Sequence, residues 1–251
     1  MGAGADQQMR VPIVAFLLEH PNAGLVLVDT GFHRSVSEGP GPERARNLGP
    51  VGRLMARDVR MRADQTVAAQ LQALGINPAD VGLVVMTHLH FDHASALCDF
   101  PGATVLLAAA EWNAARARSS FLRGYSTAQI DARPAYRTLD FARSRTPSQG
   151  PFEEVIDVFA DGSLTLASTP GHSAGHLSAI LRLGDREALI AGDAVYTMAT
   201  LREGERPWRS ADPEAFERSL ATIQAYDREH PDALIIPGHD MAAWEQLDEF
   251  Y

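Results

Sequence analysis

The sequence predicts an α/β fold, and three observations carry that reading. Short apolar runs of four to eight residues alternate with stretches of helical period. Val81–Met86 is apolar at nearly every position, the pattern of a strand buried on both faces. Four of the predicted strands run directly into a segment bearing histidine or aspartate, and sheets with helical connections place their ligands beyond the carboxyl ends of strands. At 251 residues the chain suits one α/β domain spanning 1–251.

The elements follow in order. Val11–Leu18 and Leu25–Val28 read as strands joined by the turn Pro21-Asn22-Ala23-Gly24. Residues 35–61, rich in Gly, Pro and Arg, read as a long loop at the mouth of a site. A helix over about 65–74 places Val67, Leu71 and Leu74 on one face and stops at Gly75. After Val81–Met86, Thr104–Leu107 reads as a strand and Ala109–Leu122 as a helix that turns Trp112 and Ala115 inward. Residues 124–151 hold no clear period and read as an insertion near the entrance. Val155–Phe159 and Leu164–Ser168 form a hairpin around Asp161-Gly162. Ser178–Leu183 and Ala188–Ala191 form another around Gly184-Asp185. The last helix starts at Asp212-Pro213, an N-cap followed by Pro at the first helical position. It carries Phe216, Leu220 and Ile223 on its apolar face, and Ala233–Ile236 is the final strand.

Composition narrows the function classes. The formal charge of −10 argues against nucleic acid as a partner, because such binding rests on cationic neutralisation of phosphates. Seven arginines between Arg116 and Arg145 make one locally positive stretch, read as solvated helix and loop. Cys98 is the only cysteine, so no intrachain disulfide forms, and a reducing, cytoplasmic location is expected. Val11–Leu18 is too short to span a membrane, and Asp6 stands where a myristoylation motif wants Ser or Thr. A homodimer is compatible with such a chain.

The densest chemistry lies in His88-Leu89-His90-Phe91-Asp92-His93. Packing has no use for three imidazoles and a carboxylate in six positions, whereas neutral imidazole nitrogen and carboxylate oxygen are what a zinc-type cation takes. Three other strands end at His172, Asp193 and His239. The seven side chains suffice for two divalent cations with room for water. Zinc is expected first, although iron, cobalt and manganese suit the same donors. His20, His33 and His230 are expected to be hydrogen-bonded core residues, and His176 a structural one. Asp29, at a strand end, is either a turn-stabilising residue or an acceptor for a ligand imidazole.

The combination of Asp29-Thr30-Gly31, Thr87-His88-Leu89-His90-Phe91-Asp92-His93, Thr169-Pro170-Gly171-His172, Gly192-Asp193 and Gly238-His239 resembles the metallo-β-lactamase superfamily of binuclear hydrolases. That resemblance implies an αβ/βα sandwich of two mixed sheets flanked by helices. It also implies that His88, His90 and His172 hold one metal and Asp92, His93 and His239 the other, with Asp193 bridging. Class B β-lactamases carry Cys or Ser where Asp193 stands, so the chain is more similar to the other hydrolases of the superfamily. Tyr196, three residues after Asp193, and Phe91 inside the cluster make it similar to N-acyl-homoserine lactone lactonases. The implied reaction is opening of a small-molecule lactone by a hydroxide shared between the metals, with Tyr196 and Asp92 as catalytic groups. Phe91 and Tyr196 would contact the substrate, and Val51, Leu54 and Met55 would join Phe91 along an acyl slot. The stretch from His93 to His172 is longer than in those lactonases, and the chain begins only ten residues before Val11, where they carry a further strand. An aryl-ester or phosphotriester hydrolase is the alternative reading, followed by a mononuclear iron oxygenase and a non-catalytic metal-binding relative.

Overall fold

The computed structural model describes residues 10–126, 135–207, 209–248 and 251. Its ten strands are β1 (Phe16–His20), β2 (Gly24–Val28), β3 (Val81–Val85), β4 (Thr104–Ala108), β5 (Tyr136–Leu139), β6 (Val155–Asp157), β7 (Leu164–Ser168), β8 (Leu177–Leu183), β9 (Arg186–Gly192) and β10 (Leu234–Pro237). The helices are α1 (Pro42–Met55), α2 (Val67–Ala73), α3 (Phe91–Ala94), α4 (Ala109–Ala115), α5 (Met198–Glu203), α6 (Pro213–Glu229) and α7 (Met241–Trp244). The strands form two five-stranded sheets, ordered β1-β2-β3-β4-β5 and β10-β9-β8-β7-β6. Both are mixed: β2 to β5 run parallel with β1 antiparallel at the edge, while β10 and β9 are parallel and the other pairs antiparallel.

Side-chain alternation turns these sheets into layers. In β2, Val26 and Val28 face a core shared with Leu164, Leu166, Leu177 and Ile190 of the second sheet, whereas Leu27 faces the opposite way. The same period of two separates Leu106 from Val105 and Leu107 in β4. The outward face of the first sheet is covered by α2, α3 and α4 through Leu71, Ala94 and Ala115. The outward face of the second is covered by α6 through Phe216, Leu220, Ile223 and Tyr226. Asp212 caps α6 by accepting the Ala215 N–H at 3.0 Å, as the Asp-Pro signal requires.

Four expectations change. The first strand is Phe16–His20 rather than Val11–Leu18. The backbone ahead of it is engaged elsewhere, since the Pro12 carbonyl lies 3.1 Å from His239 Nδ1. Residues 35–61 are not a loop throughout, because α1 occupies 42–55. Gly49, at φ 65°, breaks α1 into two segments, and Pro50 opens the second. The helix from Ala109 stops at Ala115, and a separate 3-10 turn spans Ser120–Arg123. Residues 124–151 contain β5, paired in parallel with β4 from Val105↔Tyr136 to Ala108↔Leu139. As an edge strand half open to solvent it shows little hydrophobic alternation. Residues 127–134 of that stretch lie outside the described residues.

One close approach fixes how the β7–β8 loop meets α6. A Cβ on Gly171, where φ is +132°, would lie 2.1 Å from the backbone nitrogen of Phe216. Gly171→Ala is therefore expected to destabilise the fold by about 3 kcal/mol or more in urea titration. Gly184→Ala has positive φ but open space around it, and should cost only about 1 kcal/mol.

Candidate metal centre

Strand ends deliver every predicted ligand to one place. β3 runs into Thr87 and His88, and the chain then turns so that His90 precedes α3, with the Ala94 N–H donating to the His90 carbonyl at 2.9 Å. The β7–β8, β9 and β10 ends supply His172, Asp193 and His239. The last two loops are tied together, since the Gly238 and His239 N–H groups donate to the carbonyls of Val195 and Tyr196 at 2.9 Å. Gly238 is needed at this crossing, because a Cβ there would lie 2.6 Å from Asp193 Oδ1.

The carboxylate of Asp193 lies between two groups of imidazoles. Its Oδ2 is 3.3 Å from His172 Nε2 and 3.9 Å from His88 Nε2. Its Oδ1 is 3.2 Å from both His93 Nε2 and His239 Nε2. Asp92 Oδ2 approaches the second group at 3.7 Å from His239 Nε2 and 3.9 Å from His93 Nε2. In the first group, His90 Nδ1 and His172 Nε2 converge to 2.9 Å. Ligand-type atoms of His88, His90 and His172, of His88, His93 and Asp193, and of Asp92, His93 and His239 each lie within 4.8 Å of one another.

Whether these residues fit cations is decided by their protons. Asp29 Oδ2 accepts from His93 Nδ1 at 2.8 Å, and the Pro12 carbonyl accepts from His239 Nδ1. Thr87 donates its hydroxyl to Asp29 at 2.7 Å, so its oxygen is left to accept from His88 Nδ1 at 3.1 Å. Each outer nitrogen is thus a donor, which leaves the Nε2 lone pair of the neutral ring facing inward. Among the described residues, His88 Nε2, His93 Nε2 and Asp193 Oδ1 are buried polar atoms with no hydrogen-bond partner. Orphans of this kind are costly in a folded interior, and cations would satisfy all three at once. The set fits divalent metal.

Electrostatics show the same density of charge, and a cation bound at His93 and His239 would replace the Nε2 proton that the neighbouring carboxylates favour there. Burial, reinforced by neighbouring imidazoles, holds the His88 pKa well below the ordinary histidine value. Burial also lowers His172, against the pull of Asp193. For His93 and His239 burial is outweighed by Asp193 with the other carboxylates, and the pKa is raised, to about 9 for His239. Asp193 is buried yet held well below the carboxylate range by His239, His93 and His172.

Of its two readings, Asp29 takes that of acceptor for a ligand imidazole, since its carboxylate bonds Thr87 and His93 and not its own turn. It sits at φ 59°, a left-handed conformation that Asp tolerates, and its carboxylate reaches across to the Thr87 N–H at 2.8 Å as well as to His93. His176 is excluded as a ligand on proton grounds, since its Nε2 accepts the Asp193 N–H at 3.0 Å, and burial depresses its pKa to about 3. His20 and His230 are hydrogen-bonded to Asp161 and to the Tyr226 carbonyl. His33, Cys98 and Asp99 form another metal-type group, but it fails the proton test. His33 Nδ1 accepts the Ser35 N–H at 3.1 Å, so the neutral ring keeps its proton on Nε2, the atom that faces Asp99 at 3.7 Å.

Tyr196 lies against the centre, its hydroxyl 3.0 Å from His172 Nδ1 and its ring 5.4 Å from that of His239. Burial and the charges of Asp193 and Asp92 raise its pKa, so the phenol keeps its proton. Phe91 is 7 % exposed and packs with Phe32 and Leu48, its ring filling the space that a side chain on Gly52 would need. The helix over 42–55 therefore sets where Phe91 stands. Leu54 and Met55 are exposed. Sequence reasoning missed Glu111, a fully buried carboxylate on α4 bonded to loops carrying two of the ligand segments. A lone Glu on a helical face gives no signal of burial.

A family model described as the metallo-β-lactamase superfamily matches residues 9–239. The chain belongs to the metallo-β-lactamase superfamily. Among curated members, N-acyl homoserine lactonase AttM of Agrobacterium fabrum is 34 % identical over 260 residues, covering 100 % of this chain and 90 % of its own. A probable metallo-hydrolase of Mycobacterium tuberculosis is 31 % identical over 245 residues, covering 89 % and 73 %. The crystal structure of a single-site mutant of Bacillus thuringiensis AiiA with N-decanoyl-L-homoserine bound at its active site superposes with a TM-score of 0.76 over 97 % of this chain and 88 % of that one, at 23 % identity. That likeness establishes the shared fold of two sheets flanked by helices. As a superfamily member the chain carries a divalent-metal site built from His and Asp.

Replacing Asp29 by Asn keeps the shape and removes the charge that orients His93. Metal affinity, measured by competition with a chromophoric chelator, should fall about 10- to 100-fold. An affinity within about twofold of wild type would contradict the role given to Asp29.

Proposed function

We propose that this protein is a binuclear metal-dependent hydrolase that opens a lactone ring, with N-acyl-homoserine lactones as the substrate class, an activity that quenches quorum signals. The observation that carries the reading is the placement of Asp193 with one oxygen toward each imidazole group and the Tyr196 hydroxyl beside it. The full-length similarity to AttM lactonase supports the choice of substrate.

His88, His90 and His172 would hold one cation and Asp92, His93 and His239 the second, with Asp193 shared between them. When bound, two zinc-type cations supply Lewis acidity and lower the pKa of water toward neutrality. The protein's own groups do the rest. Tyr196, kept protonated by its surroundings, donates a hydrogen bond to the lactone carbonyl oxygen as negative charge develops there. Asp92 takes up the proton of the attacking water and returns it to the departing ring oxygen. The acyl C–O bond of the ring breaks, leaving a carboxylic acid and an alcohol on one product molecule. That acid ionises at neutral pH, so each turnover releases one proton. Phe91, set by α1, would offer its remaining exposed edge to the acyl chain, with Val51, Leu54 and Met55 of α1 as further contacts of that chain in this reading.

Metal analysis and pH-monitored hydrolysis test this together. The purified protein should carry about two equivalents of divalent metal and turn over lactones faster than an aryl ester or a phosphotriester. One equivalent of iron with oxygen consumption, or turnover of the phosphotriester alone, would overturn it. His90→Ala should abolish metal loading and turnover together. Tyr196→Phe should retain metal and lose about 10²-fold in kcat; unchanged lactone kinetics would remove Tyr196 from the chemistry.

A further inference from the structure

The buried carboxylate of Glu111 belongs to none of the ligand groups, yet besides the Tyr125 phenol the donors that close on it come from the ligand loops. Its Oε1 accepts the Leu89 N–H at 2.9 Å, between His88 and His90. Its Oε2 accepts the Ser173 hydroxyl at 2.7 Å, next to His172, and the Gly175 N–H at 3.0 Å. Glu111 is 0 % exposed, and a buried carboxylate demands such donors. The fit is close: a Cβ on Gly175 would lie 2.2 Å from the Glu111 backbone nitrogen, so the β7–β8 loop lies directly on α4.

We propose that Glu111 is a positioning residue for the cation set of His88, His90 and His172, clamping the two loops that carry them at one separation. No atom of Glu111 touches the reacting groups. Each carboxylate oxygen holds a different loop, and the rigid carboxylate fixes the distance between them. Loss of the clamp lets the His172 loop move independently of the His88–His90 turn. The three imidazoles then have to be gathered by the cation itself, which weakens binding.

The inference rests on the metal reading above, and a binding titration separates the two. Cobalt is titrated into metal-free protein and followed by its visible absorption and by chelator competition. The His239→Ala background keeps the three-imidazole set intact. In that background Glu111→Gln should weaken cobalt binding about 10- to 100-fold, alter the cobalt spectrum, and leave the melting temperature of the metal-free protein close to that of its parent. Ser173→Ala, which removes one donor and leaves Glu111 in place, should shift affinity in the same direction by less, and serves if Glu111→Gln does not fold. Unchanged affinity in every variant that folds overturns the proposal, as does a loss of affinity in Ser173→Ala matched by an equal loss of stability in the metal-free protein. Full-length wild-type protein that binds one cation instead of two overturns the binuclear reading while Glu111 still reports on the three-imidazole set. A wild-type protein that binds none removes both.

Discussion

The structure depends on a single buried carboxylate set among four imidazoles. Asp193 has each oxygen within 3.3 Å of at least one ring nitrogen of a different group, and one of those oxygens has no hydrogen-bond partner. An uncompensated arrangement of this kind would cost several kcal/mol. Cations placed on either side convert the same atoms from a liability into a complete set of ligands. Binding of metal by such a protein is therefore also stabilisation of its fold.

Around that carboxylate, the fold supplies a ring of outer acceptors. Asp29 at the end of β2, the Thr87 hydroxyl and the Pro12 carbonyl each take the outer proton of one imidazole. They decide which nitrogen faces inward, and they come from segments far apart in the chain. The sandwich architecture makes that convergence achievable, since β2 and β3 of one sheet and β9 and β10 of the other end at the same edge of the layered core. α1 and the Gly124–Tyr125 turn then close on the His90–Phe91 segment from outside, with the Phe91 N–H donating to the Gly124 carbonyl at 3.1 Å.

Much of the centre was legible in the sequence because its chemistry is dense and local. Three imidazoles and a carboxylate within six residues have few packing explanations, and His172, Asp193 and His239 each follow an apolar strand. The buried strands and α6 were legible for the same reason: apolar runs and an Asp-Pro cap are local signals. α1 was hidden because Gly49 and Pro50 interrupt its period and its stability comes from tertiary contact through Leu48 and Arg44. β5 was hidden because an edge strand with solvent on one side need not alternate. Glu111 was invisible because nothing local distinguishes a buried carboxylate from a solvated one; only the loops that fold onto it do.

The central claim is that two cations share Asp193, and anomalous diffraction at the metal absorption edge tests it most directly. Crystals of zinc-loaded protein should show two peaks, one beside His88, His90 and His172 and one beside Asp92, His93 and His239, about 3.5–4 Å apart with the Asp193 carboxylate touching both. A single peak, or two peaks with Asp193 bound to only one, would contradict the account.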